Sequence, residues 1–127
     1  MSSFGFEQPS LLQRLHALVP GDLDALDFGV IGFDLDGIVR QYNRTESSSA
    51  GLSPDAVIGR PLFTAIAQCM NNYLVALRFD RADAAGEALD DTIDYVLTWR
   101  MRPTKVRLRM LSEPGSPLRY VLLKRVE

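Results

Sequence analysis

The stretch Phe28-Gly29-Val30-Ile31-Gly32-Phe33-Asp34-Leu35-Asp36-Gly37-Ile38-Val39-Arg40-Gln41-Tyr42 decides how the rest of the chain is read. Phe28 to Phe33 is apolar and partly β-branched, Asp36-Gly37 tolerates the positive φ angles of a tight turn, and Ile38 to Tyr42 resumes as strand. An opening β-hairpin is expected. Upstream, Leu11, Leu12, Leu15 and Leu18 fall at helical spacing between Ser10, a candidate N-cap, and the stop Pro20-Gly21, which predicts a short amphipathic helix. Downstream, Asn43 to Gly51 is rich in Ser, Thr and Asn, which compete with helix by bonding to local backbone, so short irregular helical turns are expected there. Ser53-Pro54 reads as the start of another turn. The apolar run Pro61 to Ala67 must go inside but has no clean period, and Cys69 follows it.

Asn72 to Leu89 reads as a longer helix, with Tyr73, Ala76, Leu77 and Ala84 on its buried face and Arg78, Asp80, Arg81 and Asp83 on its wet face. Period-two patterns then return. Ile93, Tyr95, Leu97 and Trp99 alternate with Asp94 and Thr98, and Val106, Leu108 and Met110 alternate with Lys105, Arg107 and Arg109, the signature of half-buried strands. After the turn Pro114-Gly115, Leu118 to Val126 supplies the last strand. The expected fold class is α+β: a five-stranded antiparallel sheet with helices on one face and an N-terminal helical cap over residues 1–25. Residues 1–127 read as a single domain.

Composition narrows the function. Among 127 residues, 46% are hydrophobic and the formal net charge is -2, with no basic cluster beyond Lys124 and Arg125, so nucleic acid is not an expected partner. No apolar run reaches the roughly 18 residues of a membrane span, and the first nine residues lack the pattern of a signal peptide, so a cytoplasmic location is expected. One cysteine and one histidine, His16, make no transition-metal set. Asp34 and Asp36 beside Gly37 suit turn chemistry better than a cation loop. With no phosphate loop, no nucleophile elbow and no histidine base near Cys69, the chain is not expected to be an enzyme.

Taken without any relative, Cys69 reads most simply as a small buried hydrophobe. Tyr42 and Glu46, four apart, read as a surface helical pair. The segments FGVIGFDLDGIVRQYNRTE, VIGRPLF, AIAQC, MRPTKV and VLLKRV change that reading. In order and spacing, over about four fifths of the chain, they resemble the photoactive yellow protein family, a branch of the PAS sensor class. The resemblance implies a blue-light photoreceptor with 4-hydroxycinnamic acid (p-coumaric acid) held as a thioester on Cys69. It implies that Tyr42 and Glu46 hydrogen-bond the phenolate oxygen. Ile66, Ala67 and Gln68 would flank the thioester, and Met101 corresponds to a methionine linked to dark-state recovery. The chain departs from the family's pattern at Ala50, usually threonine, at Leu52, usually an arginine over the ring, and at Leu97 and Trp99, usually phenylalanine and tyrosine.

Implied with the family is a photocycle: trans–cis isomerisation, proton transfer from Glu46, and partial unfolding to a signalling state read by a downstream protein that the sequence does not name. A phenol titrates near pH 10, so a phenolate at neutral pH needs strong donors, and a protonated Glu46 kept neutral by burial is one. An ionised Glu46 would then be an unpaired buried charge. Loss of a hydroxyl at Ala50 and of a cation at Leu52 predicts a larger share of protonated, blue-shifted chromophore. The alternative is a PAS-like ligand-binding or dimerisation module without light sensing.

Overall fold

The computed structural model describes residues 5–98 and 103–126. Strands β1 (Gly29–Phe33), β2 (Val39–Tyr42), β3 (Leu89–Leu97), β4 (Thr104–Ser112) and β5 (Arg119–Arg125) form one antiparallel sheet in the order β2-β1-β5-β4-β3. The opening hairpin is as the sequence predicts. Its turn closes through Gly37 N to Asp34 O and Asp34 N to Ile38 O, with Gly37 at φ 81.

The helices are α1 (Leu11–His16), α2 (Pro20–Leu23), α3 (Arg44–Ala50), α4 (Pro54–Val57) and α5 (Ala76–Ala85). Three expectations are corrected. The Ser- and Asn-rich segment is a regular seven-residue helix, because Asn43 accepts the Glu46 N–H as an N-cap and Gly51 closes the end at φ 74. Next, α5 starts later than the sequence suggests, because the Asn72 side chain accepts the N–H groups of Leu74 and Val75 and holds a separate turn before it. Its buried residue is Phe79, with Val75 buried just before it; Tyr73 and Leu77 are exposed, and Gly86 ends the helix. Finally, Ser10 stands at the N-cap position of α1 in the left-handed region and makes no capping bond through its side chain.

The run after Pro61 lacks a clean period because it is a π-turn, Leu62–Ile66, followed by a 3₁₀ turn, Gln68–Met70. The Ala67 N–H reaches the Leu62 carbonyl at 2.7 Å, and this wider turn buries Leu62 and Ala67 five residues apart.

Both faces of the sheet are covered, which is why β5 reads as an unbroken apolar run. Val121 and Leu123 pack with Phe33, Leu62, Phe79 and Leu108 under the helices from α3 to α5. Tyr120 and Leu122 pack on the opposite face with Phe6, Leu11, Leu15, Leu23 and Phe28 of the N-terminal cap. The cap also alters β4. Arg109, expected on a wet face, is 4% exposed: it grips Asp90 through Nε and Nη2 and donates from Nη1 to the carbonyls of Phe6 and Gln8.

Candidate functional site

Between β1, β2, β5 and the turns before α5 lies a small cavity that brings together residues far apart in sequence. Tyr42, Glu46, Ala50, Ile66, Ala67, Cys69 and Leu97 line it, with Ile31, Met70, Leu123 and Arg125. Gln68 and Leu52 stand outside this lining. Gln68 is exposed and donates to the Thr64 carbonyl at 2.7 Å, while Leu52 packs on the edge of the same core. Trp99 and Met101 lie outside the described residues.

Glu46 is placed by backbone, not by its own packing alone. Asn43, 2% exposed, uses its Oδ1 to accept from Val30 N and Glu46 N, and its Nδ2 to donate to Leu23 O and Phe28 O. One side chain thus joins β1, the end of α2 and the first turn of α3. Gly29 completes the seat, since a β-carbon there would collide with the Glu46 carboxylate.

The carboxylate of Glu46, 3% exposed, meets the Arg125 guanidinium: Nη1 donates to Oε1 at 2.5 Å and Nη2 to Oε2 at 3.3 Å. An ionised Glu46 is therefore paired, contrary to the expectation of a lone buried charge. Burial pushes its carboxyl above the ordinary range and Arg125 opposes that shift. The Tyr42 phenol is raised as well, first by burial and then by the nearby Glu46 charge. Tyr42 is 6% exposed and its hydroxyl has no hydrogen-bond partner among the described residues.

Sequence reasoning missed Arg125, although its signal was present: Val121, Leu123 and Arg125 alternate along β5 and so share the face that looks on the cavity. It missed a second support too. Tyr95 donates its O–H to the Cys69 carbonyl at 2.5 Å, and Asn72 Nδ2 donates to the Tyr95 oxygen at 2.6 Å, tying the cysteine turn to β3. Cys69 also borders a groove of about 710 Å³ on the outer side, whose described lining includes Leu74, Tyr95, Val96, Lys105 and Val106. Cys69 thus lines both the groove and the cavity.

A family model described as the PAS fold matches residues 23–125. Over 126 residues, 99% of this chain and 100% of the relative, the sequence is 31% identical to the photoactive yellow protein of Rhodothalassium salexigens. The chain belongs to the photoactive yellow protein family. The photoactive yellow protein of Halochromatium salexigens is 34% identical over 83% of each chain. Among solved structures, the photoactive yellow protein domain from the sensor histidine kinase Ppr of Rhodospirillum centenum superposes with a TM-score of 0.80 at 32% identity, covering 88% of this chain and 97% of that one. A PAS domain from Colwellia psychrerythraea, TM-score 0.65 at 14% identity, shares the fold. Photoactive yellow proteins are photoreceptors, not enzymes. Among the described residues no helix is long and apolar enough to cross a membrane.

The photoactive yellow protein reading implies a hydroxycinnamoyl group, and the donor set suits one. Tyr42, whose hydroxyl has no partner among the described residues, the buried Glu46 and Cys69, the chain's one cysteine, line the same cavity. At about 20 Å³ the cavity is narrow. That is room for about one water, so an aryl group would enter only as walls such as Ile66, Met70 and Leu97 part.

Proposed function

We propose that this chain is a blue-light photoreceptor carrying 4-hydroxycinnamic acid as a thioester on Cys69. The observation that carries the reading is that Tyr42, whose hydroxyl has no hydrogen-bond partner among the described residues, lines the same cavity as Glu46 and Cys69. When bound, the group would supply absorption of blue light and isomerisation about its double bond.

The chain's own residues do the rest. Tyr42 offers its O–H to the phenolic oxygen, and Glu46, kept protonated by burial, offers a second; donors to a charged acceptor are roughly twice as strong as neutral ones. Ala50, Ile66, Ala67 and Leu97 exclude water from the pair. After isomerisation Glu46 gives its proton to the phenolic oxygen and becomes a carboxylate beneath α3. Asn43 then links that change to the N-terminal cap, because it holds both the Glu46 N–H and the Leu23 carbonyl. Release of α1 from the sheet would form the signalling surface for a downstream partner.

Incubation with an activated hydroxycinnamoyl thioester tests the assignment. A single adduct with a visible band, both absent in Cys69→Ser, is expected. Colour that survives Cys69→Ser would overturn thioester attachment, and no adduct at all would leave a PAS-like ligand-binding or dimerisation module.

A further inference from the structure

Arg125 lies at the end of β5, and its side chain remains 25% exposed while that of Glu46 is 4% exposed. The guanidinium thus keeps water on one side and needs no second buried partner. Its two donors meet the two carboxylate oxygens, a fork that holds an ionised carboxylate far better than a neutral carboxyl. A group that binds one protonation state of its neighbour and hardly the other shifts the balance toward the first. The remaining titratable group facing Glu46 across the cavity is Tyr42 on β2, with the Cys69 thiol on the same lining. No other cation lines this cavity among the described residues, and position 52 supplies none, being Leu52.

We propose that Arg125 is the positioning residue that favours the ionised form of Glu46 against the opposing effect of burial, and so the charge partner that takes over the Glu46 carboxylate once its proton has left. The second half rests on the photoreceptor reading; the first does not. In the loaded dark state Glu46 keeps its proton and donates it to the phenolic oxygen. After the proton has moved from Glu46 to that oxygen, the carboxylate is captured by a guanidinium already in place. The lit state is thereby stabilised by a partner on β5.

The free chain is titrated first, following the infrared band of a protonated carboxyl, assigned by its loss in Glu46→Gln. Arg125→Gln is expected to raise the midpoint of that band by at least one pH unit, roughly tenfold in proton affinity. Arg125→Lys, which keeps the charge but loses the fork, should fall between. Equal midpoints in the wild type and Arg125→Gln would overturn the proposal. The loaded chain is measured next: Arg125→Gln should lose less of the carboxyl band on illumination and return to the dark state roughly tenfold faster, matching that shift. Unchanged recovery would contradict the charge-partner role. Failure to load would fall on the photoreceptor reading alone, because the free-chain titration still decides whether Arg125 holds Glu46.

Discussion

Asn43 makes four hydrogen bonds through one buried amide, two of them to carbonyls of the N-terminal segment and one to the N–H of Glu46. Replacing it with alanine removes a helix cap and strands buried backbone groups, so Asn43→Ala should cost roughly 2 to 4 kcal/mol in urea unfolding, with an unchanged m-value. A loss below about 0.5 kcal/mol, the range of ordinary surface substitutions, would show the junction to be redundant. Nothing about Asn43 in isolation announces this role. In the sequence it opens a run of helix-competing residues, and only its place three residues before Glu46 marks it as a cap. Tyr42, Glu46 and Cys69 were legible because a family pattern names them; Arg125 was passed over despite its place in the β5 alternation, because a basic residue near a strand end usually faces water. The departures at Ala50 and Leu52 give a further test. Ala50 lines the cavity and Leu52 packs beside it, and neither can donate to a phenolate. In the reconstituted protein, Ala50→Thr should lower the pH at which the visible band converts to its protonated form. A midpoint left unchanged or raised would show that a hydroxyl at this position does not reach the site.

Six residues of α1 cannot hold a helix in water by themselves, so its order depends on docking. Leu11, Leu12 and Leu15 supply the apolar part of that docking, and Arg109 supplies a polar clasp on the backbone before the helix, at Phe6 and Gln8. Hydrogen bonds from a charged donor contribute about 1.5 to 3 kcal/mol, so Arg109→Ala should speed amide exchange in residues 5–18 by roughly ten- to hundredfold. Protection that persists there in the variant would assign the docking to the leucines alone. The leucine spacing made α1 readable, whereas Arg109 was hidden by the alternation of β4. Period two says which side chains share a face, not whether a cap will cover that face. The same limit applies to α5, where Asn72 bonds to the backbone and delays a helix that propensity would begin earlier.

At the scale of the whole molecule, two buried tyrosines and one buried carboxyl are shifted toward their neutral forms, and this shapes how stability follows pH. Tyr120, fully buried against the cap and bonded to Gln41, has its phenol pushed up to about 12 by burial. Tyr42 is raised in the same direction. A folded-state pKa above the unfolded value means that the native chain binds the proton more tightly. Stability is then full below about pH 10, the unfolded phenol value, and is lost as pH rises toward the raised values. Thermal unfolding should therefore collapse between about pH 10 and 12, and Tyr120→Phe should move that collapse upward. The same sign holds for Glu46, whose raised carboxyl makes stability decline as pH rises past the ordinary carboxylate range. The first and last hairpins were legible from the sequence because Gly37 stands between β1 and β2 and Gly115 between β4 and β5. The double covering of the sheet was legible only in part, through the unbroken run of β5. The light reaction is the central claim. The most direct test is an intact mass and a visible spectrum of the reconstituted chain, taken before, during and after blue illumination. One hydroxycinnamoyl adduct on Cys69, with a visible band that bleaches in the light and returns in the dark, is the expected result. An adduct whose band neither bleaches nor recovers would contradict it.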